Sequence, residues 1–317
     1  MLSLFIIFWI ILAPISIFLS YYIFFHTPIW WTMPIYFFWY VYDFRCPTRG
    51  SHPWKWWKNS RFWKYVAEYF PVSLVKTSEL PSDKNYIICS HPHGILSLGA
   101  IINLLTDATK FSDKYPGLTS TVVTLNGQFY FPMRREFGTL LGAVNASPES
   151  LEYLLENPGK GRAIGILLGG AIELLDAQPD LFSLNLLSRR GFCRYALKYG
   201  ADLVPMFNFG ENNLYELLPN PRGSKYRKYQ EKVKTIIGFC PVIPKISNML
   251  TWHLGILPLR RPVTSVIGKP IRVDKVSEPT QDQIDELHST YCEALIDLFE
   301  QHKSYYGISS DVHLSLY

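Results

Sequence analysis

The sequence predicts an α/β protein in which an N-terminal membrane hairpin precedes a domain with a mainly parallel sheet covered by helices. Residues 1–42 contain no Asp, Glu, Lys or Arg, whereas a single membrane helix needs only about 20 apolar residues. Beyond residue 70, short apolar runs alternate with helical patterns, as is typical of parallel strands joined by crossover helices. An amphipathic pattern at 280–301 predicts a closing helix.

The elements of the second part follow from local patterns. Short runs rich in β-forming residues predict strands at 86–90, 121–125, 163–168, 203–209, 233–239 and 263–267. Helical periodicity predicts helices at 95–109, 148–157 and 190–199. Ser147 and Pro148 suit a helix start, because proline is favoured at the first helical position.

The apolar N-terminal segment predicts two passes that meet at His26-Thr27-Pro28, where proline interrupts the helix. The second pass, 29–42, is short for a full crossing, so a spanning pair and a hairpin that dips into one leaflet both stay open. A cleavable signal peptide is the alternative, but the segment lacks a basic n-region and a small-residue cleavage site. We therefore expect a hairpin at 1–44 and a cytosol-facing domain at 45–317.

Basic residues and tryptophans are interleaved just after the hairpin, and no acidic residue lies between 45 and 64. This composition suits the cytosolic headgroup boundary of a membrane, and a solvated basic face is the simpler alternative. The basic side chains are Arg45, Arg49, Lys55, Lys58, Arg61 and Lys64. They exceed the net charge of +5 for the whole chain, so we expect no broad polyanion-binding surface and no nucleic acid partner.

The five cysteines form no CxxC pair and are odd in number, so neither a disulfide framework nor a zinc site is predicted. Two histidines, His91 and His93, are spaced as metal ligands could be, but no third ligand cluster stands nearby in the sequence. We therefore expect no metal and a reducing, cytosol-facing environment.

The stretch HPHG at 91–94 holds the main candidate residues. It follows a strand and precedes a helix, which places His93 at a strand-to-helix turn where free N–H groups can stabilise an oxyanion or a phosphate. An imidazole there could act as a general base near neutral pH. The simpler alternative is a polar group satisfied within the fold. Ser97 does not fit a lipase elbow, because position 95 is Ile instead of Gly, and Cys89 is expected to be a core residue.

Further motifs follow HPHG in a fixed order: PMRRE at 132–136, GGAIE at 169–173, RRGFCRYALKYGADLVP at 189–205, FGEN at 209–212 and VIGKPI at 266–271. In this order and spacing, the chain resembles the type-2 diacylglycerol acyltransferase family over roughly residues 80–305. That family also holds monoacylglycerol and wax-alcohol acyltransferases. The resemblance implies a glycerolipid-acyltransferase-like domain that moves a fatty acyl group from acyl-CoA to a lipid hydroxyl, forming triacylglycerol from diacylglycerol.

The resemblance also implies roles for individual residues. Related glycerolipid acyltransferases place an aspartate five residues after the histidine, but here that position is Leu98. Glu173, after a neighbouring strand, is our candidate for the partner that orients His93, although it could simply cap a helix. We expect His93 to be the base, His91 to position either it or the acceptor, and backbone N–H groups at the turn to stabilise the oxyanion.

The remaining candidates concern substrate and coenzyme A. Arg135 could contact coenzyme A phosphates or support the site. The other arginines at the family's motifs could contact the same phosphates, although surface arginines also have a purely solvated interpretation. Glycines at the same motifs would allow close approach of the substrate. These candidates are Gly94, Arg135, Gly169, Gly170, Arg189, Arg190 and Arg194. No cofactor is expected, because acyl-CoA is a substrate.

The resemblance places the protein in the endoplasmic reticulum membrane with its catalytic domain in the cytosol, and at lipid droplets. Expected partners are acyl-CoA, a neutral lipid acceptor, the bilayer and the droplet surface, with homo-oligomerisation left open. The acceptor stays open as well, because the sequence departs from the family pattern at 252–261 and at Ser90. A catalytically silent droplet-binding hairpin protein is the alternative function.

Overall fold

The computed structural model describes residues 15–156, 159–237, 242, 245 and 258–317. Its helices are α1 (15–26), α2 (Thr32–Tyr42), α3 (Lys55–Lys58), α4 (Arg61–Tyr69), α5 (Leu98–Ala100), α6 (Phe111–Lys114), α7 (Arg134–Leu141), α8 (Pro148–Glu156), α9 (Gly170–Leu175), α10 (Gly191–Tyr199), α11 (Lys225–Ile237) and α12 (Gln281–His302). Helix α5 continues as a π-helical turn over Ile101–Leu105.

The strands are β1 (Val72–Lys76), β2 (Tyr86–His91), β3 (Thr119–Thr124), β4 (Ala143–Asn145), β5 (Arg162–Leu167), β6 (Ser183–Leu184), β7 (Asp202–Phe209), β8 (Val263–Ile267) and β9 (Ser315–Leu316). Seven of them form one sheet in the order β1-β8-β7-β2-β5-β3-β4, and β6 pairs with β9 in a separate ribbon. Every pairing in the large sheet is parallel except β7 with β8. The predicted mixed α/β fold with a mainly parallel sheet is confirmed.

The sheet buries both of its faces. Strands β2 and β7 are buried at every residue, because helices cover them on two sides. One face carries Ile88 and Val204, and the other carries Ile87, Cys89 and Leu203. The parallel strands β7, β2 and β5 are neighbours and end at the same edge, so the loops that follow them come together there.

The closing helix α12 covers the second face. Its Thr280 side chain accepts the Gln283 N–H, and the Gln283 side chain accepts the Thr280 N–H, which is a capping box that fixes the helix start. Tyr291, Leu295 and Phe299 are buried against the sheet face. This helix confirms the sequence prediction to within one residue at each end.

The N-terminal helical segment is interrupted near the predicted proline, since α1 and α2 are separated by residues 27–31. Both helices expose large apolar side chains, among them Phe18, Phe38 and Val41. Within the described residues, no helix has the length and apolarity that a bilayer crossing requires. The first predicted pass lies partly outside the described residues, at 1–14.

Other predicted elements were wrong. The run at 233–239 was predicted as a strand, but residues up to Ile237 belong to α11, where Arg227 pairs with Glu231 one turn away. The helix predicted at 95–109 spans only 98–105, because Gly94 and Ser97 adopt positive φ and delay its start. Strand β1 was not predicted, and neither were β4, β6 and β9, whose runs are only two or three residues long.

Candidate active site at the carboxyl edge of the sheet

Three candidate residues lie close together after three neighbouring strands. His93 follows β2, Glu173 lies on α9 after β5, and Glu211 follows β7. We call residues 91–94 the HPHG turn, and Glu173 with Glu211 the carboxylate pair. The parallel strand order explains why residues so distant in sequence share one edge.

The ring of His93 is held in one tautomer. Its Nδ1 lies 2.9 Å from the Gly94 carbonyl oxygen, which can only accept, so Nδ1 carries the proton. Ser97 Oγ donates to the His93 carbonyl at 2.8 Å and lies 3.2 Å from Nδ1. Burial lowers the pKa of His93, so the ring stays neutral near pH 7. Its Nε2 is then the nitrogen with a free lone pair, and it can accept a proton.

Glu173 contacts His93 through the backbone. Its Oε2 accepts the His93 N–H at 2.8 Å, and its Oε1 accepts the Asn185 N–H at 3.0 Å. Burial raises the pKa of Glu173 to about 7, although these two bonds favour the charged form. Gly169 permits this arrangement, because a Cβ there would lie 2.0 Å from Glu173 Cδ.

The predicted contact between Glu173 and the imidazole is therefore wrong, although the two residues do meet. The carboxylate holds the backbone of the HPHG turn, and the Gly94 carbonyl fixes the tautomer instead. Sequence could place both residues at one sheet edge. It could not show which atoms meet, because that depends on the path of α9.

Glu211 fastens the other side of the turn. Its two oxygens accept the N–H groups of Leu98 and Gly99 at 2.7 and 2.8 Å. Burial raises the pKa of Glu211 to about 7. Gly94 packs against it, since a Cβ at Gly94 would lie 2.5 Å from Glu211 Cγ. The N–H groups of His93, Leu98 and Gly99 are thus occupied by the carboxylate pair, so these three are not free to serve as the predicted oxyanion donors.

His91 is a core residue and does not reach His93. It is fully buried, and its Nε2 lies 3.0 Å from the Tyr291 hydroxyl on α12. Burial lowers the pKa of His91 to about 3, so it stays neutral at physiological pH. The predicted positioning role is wrong because strand alternation turns His91 toward α12, on the face it shares with Cys89.

Arg135 is not available to coenzyme A. It is fully buried and pairs with Asp43 at 2.8 Å and Glu136 at 2.9 Å. Its guanidinium also lies about 5 Å from the rings of Trp39 and Tyr40 on α2. We call these five residues the Arg135 cluster. The predicted phosphate contact is wrong, because the cluster ties α2 to α7 and the Arg135 charge is paired internally.

The other predicted arginines differ in position. Arg189 Nη2 lies 3.7 Å from the place a Cβ would take on Gly170, and its charge lowers the pKa of Glu173. Arg190 pairs with Asp285 on α12 at 2.9 Å, and Arg194 is exposed on α10. Of the three, Arg189 is the one that the structure brings to the carboxylate pair.

Comparison with known proteins identifies the family. The family model described as diacylglycerol acyltransferase matches residues 21–317. The human protein named diacylglycerol O-acyltransferase 2 is 41% identical over 287 residues, which cover 90% of this chain and 74% of the relative. The human protein named 2-acylglycerol O-acyltransferase 1 is 39% identical over 300 residues, covering 95% and 89%. This chain belongs to the diacylglycerol acyltransferase family.

Among solved structures, the chain is similar to a 1-acyl-sn-glycerophosphate acyltransferase from Thermotoga maritima. That likeness has a TM-score of 0.42 and 12% sequence identity, and it covers 76% of this chain and 77% of the other. The family match covers the HPHG turn, the carboxylate pair and α12 together. The protein is accordingly an acyltransferase.

Sequence reasoning missed a buried polar network behind the turn of this acyltransferase. Asn208 on β7 donates to Ser90 Oγ at 2.8 Å and accepts from Ser265 Oγ at 2.6 Å. Asn103 Nδ2 donates to Ser265 at 2.7 Å. Gly99 must be glycine beside it, because a Cβ would lie 2.6 Å from Asn208 Oδ1. Polar residues inside otherwise apolar strands were the available signal.

One group of possible metal ligands occurs within the described part of the chain. Ligand atoms of Asp43, Cys46 and His52 lie within 4.8 Å of one another. Asp43 already accepts bonds from His52 and from Arg135, so we assign the group to the surroundings of the Arg135 cluster. The cysteines at 46, 89, 193 and 292 are all buried and free.

Proposed function

We propose that this protein transfers a fatty acyl group from acyl-CoA to the hydroxyl of diacylglycerol, with Nε2 of His93 as the general base. The observation that supports this most directly is the bond from His93 Nδ1–H to the Gly94 carbonyl. This bond fixes the tautomer in which Nε2 carries the lone pair, and burial lowers the pKa of His93. Family membership supports the reaction class.

The chemistry requires one good base. Nε2 takes the proton of the acceptor hydroxyl as its oxygen attacks the thioester carbonyl. When the tetrahedral intermediate collapses, the C–S bond breaks and the sulfur of coenzyme A receives the proton from the imidazolium. Because a thiol of pKa about 8.5 is a good leaving group, no acyl-enzyme is needed. No cofactor enters this scheme, since acyl-CoA is consumed as a substrate.

The neighbours of His93 have supporting roles in this proposal. Glu173 and Glu211 fix the backbone on both sides of the base, which preserves the geometry that proton transfer needs. Arg189, exposed beside Gly170, is the proposed contact for the phosphates of coenzyme A. Gly94 and Gly169 leave room for the side chains of Glu211 and Glu173, and Gly170 lies beside Arg189.

Monoacylglycerol is the second candidate acceptor. The relatives named 2-acylglycerol O-acyltransferase 1 are 39–41% identical to this chain, the same range as those named diacylglycerol O-acyltransferase 2. Overall identity therefore does not separate the two acceptors. Long-chain alcohols and a silent lipid-binding protein are the remaining alternatives.

We propose that the hairpin and its basic flank hold the enzyme at the cytosolic face of the endoplasmic reticulum membrane and at lipid droplets. Several features support this proposal. Phe38 and Tyr42 are 78% and 84% exposed, which is unusual for large apolar rings in water. Trp54 and Trp56 are exposed next to lysines of α3, as suits a headgroup boundary.

Acyl transfer in microsomes tests the function. Labelled oleoyl-CoA would be offered with diacylglycerol, monoacylglycerol or a long-chain alcohol, using wild type, His93→Ala and the exposed control His313→Ala. We expect triacylglycerol from the wild type and the control, and a loss of roughly 10²–10⁴-fold in His93→Ala at equal protein level. Absence of any labelled ester in the wild type would favour the silent binder. Full activity in His93→Ala would exclude His93 as the base.

A further inference from the structure

The ribbon formed by β6 and β9 lies next to Asn185, whose backbone N–H binds Glu173. Tyr317 N–H donates to the Leu184 carbonyl at 3.0 Å, and the Tyr317 carbonyl accepts from Leu186 and Leu187 at 3.1 Å each. These contacts hold the backbone on both sides of Asn185. The N–H of Asn185 in turn donates to Glu173 Oε1. A continuous series of hydrogen bonds therefore runs from Tyr317 to the HPHG turn.

The side chain of Tyr317 makes a second connection to the same helix. Its hydroxyl donates to Asp176 Oδ2, which follows Glu173 by three residues. Arg222 donates to the same carboxylate at 3.0 Å and stacks 4.0 Å from the centre of the Tyr317 ring. Buried Arg227 donates to Asp176 Oδ1 at 2.7 Å. Residues 315–317 thus hold Asn185, which binds Glu173, and also Asp176, which follows Glu173 on the same segment.

The ring of Tyr317 is not enclosed by packing. It borders a cavity of about 550 Å³, whose other walls include Leu181, Pro219 and Pro221. The hydroxyl bond to Asp176 and the stacking with Arg222 orient the ring at the edge of this cavity.

We propose that residues 315–317 are a latch that positions Glu173, and through it His93, for acyl transfer, with Tyr317 as its positioning residue. This inference rests on the proposed function of His93 and Glu173. Opening the latch would release Asn185 from Glu173, and the HPHG turn would lose one of its two carboxylate fastenings. The pairings of the large sheet do not include β6 or β9, so they do not depend on the latch.

The latch also affects the charge of Glu173. The groups that act on Glu173 are Asp176 on its own segment, Arg189 before α10, and the N–H groups of His93 and Asn185. Asp176 raises the pKa of Glu173, and the other three lower it. Loss of the Asn185 bond would therefore raise the pKa further, so the carboxylate would be protonated at a higher pH.

Steady-state kinetics of the full-length membrane enzyme test the latch. The variants are Tyr317→Ala, Tyr317→Phe, and Ser315→Pro, which removes the donor to the Phe182 carbonyl. His313→Ala is the matched control, because His313 is exposed and pairs only with the surface residue Glu300. Folded protein is quantified for each variant, and kcat, KM for oleoyl-CoA and the pH profile of kcat/KM are measured.

We expect kcat to fall roughly tenfold in Tyr317→Ala and Ser315→Pro, with KM within about twofold, and less in Tyr317→Phe, which keeps the stacked ring. The acid limb of the pH profile of kcat/KM should move to higher pH in Tyr317→Ala and in Ser315→Pro. The His313→Ala profile should match that of the wild type. Unchanged kcat and pH profile per folded enzyme, even with less protein recovered, would overturn the latch. A wild type that transfers no acyl group would refute the proposed function and, with it, this inference.

Discussion

The Arg135 cluster and the carboxylate pair bury charge in opposite ways. Arg135 faces two acidic side chains, Asp43 and Glu136, so its charge is neutralised locally. Glu211 is as deeply buried, but its oxygens receive only backbone N–H groups. Burial then raises the pKa of Glu211 to about 7, as it does for Glu173. Paired charge holds α2 to α7, whereas carboxylates without an ion-pair partner among the described residues, whose pKa burial raises, fasten the backbone near the proposed base.

The largest expected effect tests the paired cluster. Arg135→Ala leaves two acidic groups without their buried partner, so we expect a loss of about 3–5 kcal/mol in the free energy of unfolding. Thermal or denaturant unfolding in detergent measures it, with the exposed Arg194→Ala as control. If Arg135→Ala kept wild-type stability but raised KM for acyl-CoA, Arg135 would contact substrate after all.

The second-largest expected effect is on the pH dependence of stability, which tests the raised pKa of Glu211. A carboxyl whose pKa is raised by folding binds more protons in the folded state, so its contribution to stability falls as pH rises from about 4.5 to above 7. Glu211→Gln removes this dependence. We expect its stability relative to wild type to improve between pH 5 and pH 8 by up to about 3 kcal/mol. Urea unfolding at both pH values measures it, and parallel stability curves would contradict a raised pKa.

Gly169→Ala tests the position of Glu173 without removing its charge. The new Cβ would displace the carboxylate, so we expect at least a roughly tenfold lower kcat with normal expression. Gly191→Ala is the matched control, because its Cβ would meet no atom within 4 Å. Equal kcat values for Gly169→Ala and Gly191→Ala would mean that catalysis does not depend on the position of the Glu173 carboxylate.

The smallest expected effect is on KM for acyl-CoA, and it distinguishes Arg189 from Arg190. Arg189→Ala should raise KM for acyl-CoA a few-fold, since a single exposed contact to phosphate contributes about 1 kcal/mol. Arg190→Ala should change KM little, because Arg190 is paired with Asp285. Initial rates over a range of oleoyl-CoA concentrations measure both. A larger rise in KM for Arg190→Ala than for Arg189→Ala would indicate that coenzyme A binds nearer to α12.

Much of the sheet could be predicted from the sequence because it depends on local patterns. The strands at β2, β5, β7 and β8 were predicted to within about a residue, and the capped helix α12 likewise. The strand at 233–239 failed for a physical reason. Its apolar end resembles a strand when it is considered alone. The charged residues before it form α11, and that helix extends to Ile237.

The sequence by itself determined the turn that carries His93, since the order strand, HPHG and helix follows from residue type and spacing. It also determined that a carboxylate after a neighbouring strand would reach the same edge. The tertiary structure alone decided which atoms meet: Gly94 fixes the tautomer, Glu173 and Glu211 hold the backbone, and His91 turns into the core. It also decided that Arg135 serves the hairpin and that Tyr317 supports Glu173. These contacts join residues up to 200 positions apart, and no local pattern contains them.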